Sequence, residues 1–455
     1  GPAALVSGAV FLAYPTVQGH LFGSHLGMIA LWGIPLYLDA LLTLRRRATV
    51  GVYARAVLFF VMSMLGSTML LVFVLAPLTV LILLRWLMMR EWVALRRNMI
   101  AVLMGGAVAA IFVVPAVIEQ LTSPAAVQPE GIVRFSADLL AFASPSFLRP
   151  YAPPWSSTVI GTNLVEGYGY IGLVAGIMAC SGMWRVQAAR PWAWTALAAY
   201  VLSLGPILKL FDDPVTLMVD GRATFIPMPF AFLHSLPIIE ATRTPARFNL
   251  AVGLCVAVIV GYGLAWLGAR RWRWVGAVVL IGLVLADYQL SPGRFPTVPA
   301  AIPAEITALR DDASIEAVMA LPHDNLLVSK AAMYLQTGHH KPMIGGFVSR
   351  ETPISFAKRE VLQQTLDPAL FHEAGVDAIF LFREWDTDLN ATVYDALGTP
   401  FYEDARLAAF RVPEASAPAS FTTVTDDPHT IHLYTPTATW ADIDGIIAGG
   451  NTDYE

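Results

Sequence analysis

The chain has 455 residues, of which 56% are hydrophobic and only 14% are charged. A soluble globular protein carries roughly 45–50% apolar and roughly 25% charged residues, so this composition excludes an ordinary soluble enzyme and a disordered chain. Two cysteines exclude a disulfide framework, and a net charge of −5 gives no electrostatic basis for binding nucleic acid.

Charge divides the chain near residue 288. Residues 1–288 contain 19 Lys and Arg against 11 Asp and Glu, whereas residues 289–455 contain 10 against 23. Long apolar runs occur only in the first part. We therefore predict a polytopic α-helical membrane bundle in residues 1–288, followed by a small acidic α/β domain in residues 289–455.

Apolar segments close to the ~20 residues that cross a ~30 Å hydrocarbon core recur through the first part. We predict about nine transmembrane helices, at residues 1–16, 24–44, 50–66, 67–88, 98–118, 167–184, 193–210, 248–268 and 274–288. The run is nearly continuous through Gly66 and Ser67. A single bent span there would reverse the orientation of every later segment.

The distribution of arginine supports the division into nine. With residue 1 near the cytoplasmic face, thirteen arginines lie in inner loops and Glu91 is the only acid there. Short cytoplasmic loops carry the excess of Lys and Arg, so we predict this topology in the cell membrane, with residues 289–455 extracytoplasmic. The long outer loops 119–166 and 209–247 are rich in proline and aromatic residues, which predicts re-entrant or interfacial segments.

Arginines in the outer loops are the candidate substrate-binding residues. Arg243 and Arg247 precede a span at headgroup depth, where a guanidinium can bind a phosphate with two hydrogen bonds. Anchoring at the interface is the alternative interpretation. Arg149 and Arg222 are weaker candidates for the same role.

Three outer carboxylates are weak catalytic candidates: Glu166, Asp220 and Glu240. The plainer interpretations are a helix cap for Glu166 and a turn for Asp220 with Gly221. His20 and His25 are five residues apart, a poor spacing for a metal pair on one helix, which favours packing or hydrogen bonding. The sequence predicts no metal site and identifies no cofactor, and a divalent metal is left open without support.

From about residue 289 the pattern changes to short alternating strands and helices. We predict a strand at 316–322, a helix through LVSKAAMYLQTGH, a helix, turn and strand within 367–383, and a strand at 405–412. Such alternation is typical of a small α/β sheet. FTTVT and TIHLY are candidates for an antiparallel edge, and the acidic tail is expected to fray. Hydrogen bonding is the favoured role for His323, His339 and His340. The glycines of GGFVSR are predicted to form a plain turn.

Several segments resemble bacterial multi-pass membrane proteins of the GT-C glycosyltransferase type: FLAYPTVQGHL before a span ending in LRRR, SPSFLRP before EGYGYIG, IPMPFAFLHSLPIIEATRTPARFNLAVGL, and MYLQTGHHKPMIGGFVSR. The resemblance implies transfer of a sugar from a polyprenyl-phosphate donor to an acceptor on the outer face. It also implies a catalytic carboxylate in the first outer loop, but Gln18 to Ser24 contains no Asp or Glu. Either that loop and further spans lie upstream of residue 1, or this copy is not catalytic.

Two function classes follow. The first is a glycosyltransferase in which Arg243 and Arg247 hold the donor phosphate and an upstream acid activates the acceptor hydroxyl. The second is a non-catalytic membrane subunit whose acidic outer domain docks a protein partner in a larger complex. The expected partners are the lipid bilayer with a polyprenyl-phosphate-linked sugar in the first class, and another protein in the second.

Overall fold

The computed structural model describes residues 1–23, 25–122, 132–145, 152–161, 165–219, 222–234, 242, 244–267, 273–288, 300–346, 354 and 356–415. These residues form two compact units. Described residues up to 288 belong to the first unit, and described residues from 300 belong to the second.

The first unit is built from helices at each of the predicted spans. Its longer helices are Pro2–Leu12, Pro15–Phe22, Gly33–Leu44, Val50–Gly66, Ala76–Met88, Trp92–Thr122, Leu173–Arg185, Arg190–Ser203, Asn249–Leu267 and Arg273–Asp287, with Leu26–Ile29, Thr68–Leu70, Ser156–Ile160 and Pro229–His234 as short ones. Among the residues that the structure describes, four helical segments are long and apolar enough to cross a membrane: Leu26–Leu44, Thr68–Met88, Trp92–Pro115 and Pro245–Trp266. They indicate association with a membrane, while the nine-span topology stays a prediction.

The Pro245–Trp266 segment lies at the centre of this unit. In its most apolar stretch 72% of the residues are buried, against 22–44% in the other three segments. Helices Pro2–Leu12, Leu173–Arg185 and Arg190–Ser203 pack around it. A helix that is apolar on all sides is stable only when it is surrounded, so its composition and its central position agree.

The run through Gly66 and Ser67 is divided, as predicted. Ser67 is extended, with φ −164° and ψ 128°, so the Val50–Gly66 helix ends there and a new helix begins at Thr68. A π-helical turn, Leu71–Leu75, follows. It precedes Pro77, which has no N–H to bond the carbonyl four residues earlier, and this accounts for the irregular turn.

The predicted loops contain more regular structure than the sequence indicated. The first one, Gln18 to Ser24, is helical as far as Phe22. In the second long loop, strand Lys209–Leu210 pairs with Asp213–Pro214, and strand Thr216–Val219 pairs with Arg222–Phe225. Short two-stranded hairpins carry no hydrophobic periodicity long enough to be recognised in a sequence.

The second unit contains a five-stranded sheet, as the alternating pattern predicts. Its strands, in spatial order, are Met343–Ile344, Val318–Leu321, Ala378–Phe382, Leu407–Arg411 and Tyr402–Glu403. The first three are parallel, Leu407–Arg411 pairs antiparallel with Ala378–Phe382, and Tyr402–Glu403 pairs antiparallel with Leu407–Arg411. Helices Ala304–Ala308, Leu326–His339, Phe356–Thr365, Pro368–Glu373 and Thr387–Leu397 connect the strands.

The two central strands of this sheet are buried on both faces. In strand Ala378–Phe382, Ile379 and Leu381 pack into one apolar cluster, while Ala378 and Phe380 pack into another. Burial on both faces explains why AIFLF is a continuous apolar run rather than an alternating one. FTTVT, TIHLY, the acidic tail and most of GGFVSR lie outside the described residues.

Candidate functional site

A buried ion pair joins Glu166 to Arg247. The guanidinium donates from Nε and from Nη2 to the same carboxylate oxygen, Oε1, at 2.9 and 2.6 Å. The Glu166 side chain is 3% exposed and the Arg247 side chain 15%. Removing two charges from water has a large desolvation penalty, which only a close and well-oriented ion pair offsets. Each residue therefore depends on the other for its buried position.

Both residues lie in turns that precede apolar helices. Arg247 lies in a single 3-10 turn, Pro245–Phe248, that leads directly into helix Asn249–Leu267. Thr244 before it is non-helical, as expected for a residue that precedes proline. Phe248 is fixed by edge-to-face contacts with Phe73 and Phe230. Glu166 lies in a turn ahead of the Leu173–Arg185 helix.

Two histidines adjoin the ion pair. His20 Nδ1 and His25 Nδ1 are 3.2 Å apart. His20 Nε2 lies 3.7 Å from Glu166 Oε2, and His25 Nδ1 lies 3.9 Å from Glu166 Oε1. Burial, with smaller contributions from Arg247 and His25, lowers the pKa of His20 from 6.5 to about 3, so this ring is neutral.

The two histidines reach one another because they are on different helices. His20 lies on Pro15–Phe22, and His25 is the residue that precedes Leu26–Ile29. The argument that five residues is a poor spacing along one helix therefore does not apply to them. The change of direction between the two helices brings their rings to a centroid distance of 5.5 Å.

Glycine permits the contact between the histidine helix and the Glu166 turn. A Cβ atom on Gly19 would lie 2.8 Å from the carbonyl oxygen of Val165, and one on Gly23 would lie 2.6 Å from a Val165 methyl group. Thr16 Oγ1 also donates a hydrogen bond to the carbonyl of Tyr168. The backbone of Pro15–Phe22 thus lies directly on residues 165–168, and a larger residue at position 19 would separate them.

Hydrogen bonds also connect the described parts of the two long predicted outer loops. The buried carboxylate of Asp138 accepts hydrogen bonds from the backbone N–H groups of Leu140 and Asp212, both at 2.8 Å. Asp212 in turn accepts from Lys209 Nζ. Burial raises the pKa of Asp138 even though these hydrogen bonds oppose the shift. We assign Asp138 to loop structure, because its oxygens are occupied by backbone donors.

The arrangement offers both charge and unused hydrogen-bonding capacity. One ligand atom each from His20, His25 and Glu166 lies within 4.8 Å of the other two. His20 Nε2 is buried and makes no hydrogen bond within the described part of the chain. The same holds for both amide atoms of buried Asn249, whose side chain adjoins Gly169 three residues after Glu166. A buried polar atom without a hydrogen bond in the protein is a position where a water, an ion or a ligand can bind.

No protein-family model, no curated protein and no solved structure matches the chain. The assignment of a function therefore rests on the residues themselves, and the resemblance to GT-C glycosyltransferases remains an expectation from sequence segments.

Of the predicted site residues, the structure brings Glu166 and Arg247 together. Glu166 does not cap a helix, since the Leu173–Arg185 helix begins seven residues later. Arg247 is held by a carboxylate rather than extended toward water, so interfacial anchoring does not describe it. Arg222 is exposed on a hairpin strand and is not described in contact with this cluster. Four candidates lie outside the described residues: Arg149, Asp220, Glu240 and Arg243.

The predicted hydrogen bonding of His20 and His25 agrees with their 3.2 Å contact, but sequence reasoning did not place them beside Glu166 or pair Glu166 with Arg247. The segments QGHLFGSH and EGYGYIG contain the signal, since each combines polar site residues with glycines that permit close approach. In the second unit, His339 Nδ1 accepts from the Lys341 N–H and His340 Nε2 lies 2.9 Å from the Thr337 carbonyl, which are hydrogen-bonding roles. His323 Nε2 likewise lies 2.6 Å from Glu360 Oε2.

Proposed function

We propose that this chain is a membrane glycosyltransferase of GT-C-like type, which transfers a sugar from a polyprenyl-phosphate donor to an extracytoplasmic acceptor. Its catalytic centre is the cluster of Glu166, Arg247, His20 and His25. The observation that carries the proposal is the buried Glu166–Arg247 pair, contributed by two loops that the charge pattern predicts on the outer side. It unites a proton acceptor and a phosphate-binding cation, the two groups that such a transfer needs.

A contact between His20 and Glu166 supports the predicted topology. The two residues are 3.7 Å apart, as expected if the chain between them crosses the membrane an even number of times. Nine spans place four crossings in that interval, whereas one bent span across residues 50–88 would leave three. An odd number would separate the two residues by the ~30 Å thickness of the hydrocarbon core.

In the proposed reaction, Glu166 acts as the general base. The acceptor hydroxyl gives its proton to the carboxylate, its oxygen bonds to the anomeric carbon of the sugar, and the bond from that carbon to the phosphate oxygen breaks. Polyprenyl phosphate leaves with the electron pair. Protonation of Glu166 removes the negative charge that holds Arg247, whose guanidinium then stabilises the departing phosphate.

The test is transfer from undecaprenyl-phosphate-linked hexoses by the full chain reconstituted in liposomes. Glu166→Gln should lower the rate by about 10²–10⁴-fold while retaining donor binding, because a general base contributes roughly that factor. Glu91→Gln is the matched control, because Glu91 is a partly exposed carboxylate paired with Arg45 in a predicted inner loop, and it should leave the rate unchanged. If Glu166→Gln and the wild type turn over equally, Glu166 is not the base. If folded wild-type protein transfers none of the hexoses, the non-catalytic subunit becomes the better interpretation.

A further inference from the structure

We propose that His20, His25 and Glu166 bind one divalent transition metal ion with the ligand preferences of Zn²⁺. The inference does not depend on glycosyl transfer, because metal binding can be measured on a protein that lacks any activity. Two imidazoles and a carboxylate form one of the ligand sets found at catalytic zinc sites, where a fourth position holds water or substrate.

The three residues lie close enough together for such a site. One ligand atom from each of them lies within 4.8 Å of the other two. A tetrahedral ion with ligand bonds of about 2.0–2.1 Å holds its ligand atoms roughly 3.4 Å apart, so the side chains must rotate to close on an ion. His20 Nε2 is the nitrogen that faces the carboxylate, at 3.7 Å from Glu166 Oε2, while His20 Nδ1 lies 3.2 Å from His25 Nδ1.

The burial of His20 Nε2 without a hydrogen bond is a second, independent observation that supports a metal site. Its side chain has no exposed surface, and its Nε2 makes no hydrogen bond within the described residues. A ring nitrogen buried without a hydrogen bond costs free energy unless a ligand satisfies it. This nitrogen faces the Glu166 carboxylate, so a cation between them would satisfy it.

The donor types decide the class of metal. Mg²⁺ and Ca²⁺ prefer six or more oxygen ligands, and this cluster offers a single carboxylate. Imidazole nitrogen suits Zn²⁺ and its neighbours in the first transition row. Co²⁺ is therefore a suitable spectroscopic probe, because it accepts the same ligands.

Arg247 limits the affinity of the site in two ways. Its guanidinium occupies Glu166 Oε1 with two hydrogen bonds, and its positive charge opposes a second cation nearby. Replacement of Arg247 by glutamine should therefore tighten metal binding.

The experiment uses the untagged full chain in detergent, stripped of metal with a chelator and titrated with Co²⁺ and with Zn²⁺. We expect one equivalent of tightly bound Zn²⁺, and visible Co²⁺ absorption bands typical of low coordination number. His25→Gln and Glu166→Gln should each weaken Zn²⁺ binding at least about tenfold, since even residues that only support a metal ligand cost about 10–100-fold. Arg247→Gln should bind more tightly than the wild type.

His372→Gln is the matched control. His372 lies in the second unit at 3.6 Å from a carboxylate of Asp377, with exposure similar to that of His25, and belongs to no three-residue group of metal-ligating side chains among the described residues. It should bind Zn²⁺ like the wild type. His25 is 29% exposed, so its replacement is tolerated sterically, and thermal stability verifies folding of each variant. Wild-type protein that binds no stoichiometric Zn²⁺, or folded His25→Gln with unchanged affinity, would overturn the proposal.

Discussion

Arg247 Nη2 lies 2.6 Å from Glu166 Oε1, although the two residues are 81 positions apart in the chain. The contact joins the turn ahead of the Leu173–Arg185 helix to the turn that opens the central helix Asn249–Leu267. It is the point at which the predicted outer loops, the histidine helix and the most buried span meet. Stability and function of the first unit should therefore both respond to this pair.

The first prediction concerns the free energy of unfolding. Glu166→Gln and Arg247→Gln should each destabilise the protein by about 3–5 kcal/mol, because either change leaves a buried group without its partner. The double variant should lose less than the sum of the two single variants, as residues in direct contact are energetically coupled. Denaturant unfolding in mild detergent measures the free energy of unfolding of the two single variants and the double variant.

Glu91→Gln provides the control for this prediction. Glu91 pairs with Arg45, and the two side chains are 31% and 38% exposed. A pair that water reaches contributes only about 0–1 kcal/mol, so this variant should be close to wild type. Equal losses for Glu166→Gln and Glu91→Gln would show that the Glu166–Arg247 pair is not buried as described.

The second prediction concerns the close approach at Gly19. Gly19→Ala should lower stability by about 1–3 kcal/mol, since a Cβ atom would lie 2.8 Å from the Val165 carbonyl and backbone must shift. Gly8→Ala is the matched change, because nothing lies within 4 Å of a Cβ there and it is also helical. That variant should be neutral or up to about 1 kcal/mol more stable. Thermal unfolding compares the stability of the two variants. An equal loss of stability in both would contradict the close approach of Gly19 to Val165.

The third prediction concerns pH and the second unit. Burial, followed by His340 and Lys341, lowers the pKa of His339 from 6.5 to about 4. Between these values the unfolded chain binds a proton that the folded unit does not. This contribution to stability is therefore complete above pH 6.5 and is lost as pH falls toward 4.

His339→Gln should reduce this pH dependence. The local probe is hydrogen exchange of the Ala378–Phe382 strand, corrected for intrinsic exchange rates, because Phe380 packs edge-on against the His339 ring. Exchange in the wild type should accelerate from pH 7 to pH 4.5 more than in the variant. Parallel pH profiles in the two proteins would mean that His339 does not carry the effect.

The fourth prediction concerns orientation. A reporter that is active only in an oxidising compartment should be active when fused after Glu455, because the thirteen predicted inner-loop arginines place this end outside the cytoplasm. A reporter that requires the cytoplasm should be active when inserted at Ala48, in the arginine-rich segment between two helices. Activity in the reversed pattern would invert the assignment of sides and remove the proposed site from the outer face.

The positions of the helices were predictable because hydropathy is a local property. Runs such as NLAVGLCVAVIVGYGLAWL can be buried only as a helix in an apolar environment, and the helix Asn249–Leu267 lies where the run lies. The separation at Ser67 was less certain, and it was the arginine distribution rather than the hydropathy that favoured it. The α/β pattern of the second unit was predictable for the same local reason, since its strands and helices alternate along the chain.

The cluster could not be predicted in the same way. His20 was judged by its spacing from His25 along one helix, but the chain changes direction after Phe22 and the spacing no longer sets the distance. The pairing of Glu166 with Arg247 depends on which loops pack together. No local sequence pattern around either residue identifies the other as its partner. The short hairpins between Lys209 and Phe225 were missed because two to four residues carry no measurable periodicity.

By itself, the sequence determined where apolar helices form, how the chain divides near residue 288, and which segments carry polar residues suited to chemistry. These properties follow from hydropathy, charge and turn residues, which act over a few positions. Only the tertiary structure decided that His20, His25, Glu166 and Arg247 lie together in one cluster. Their contact arises from packing between segments at least 81 residues apart, where glycine allows backbones to touch and a buried charge requires its partner.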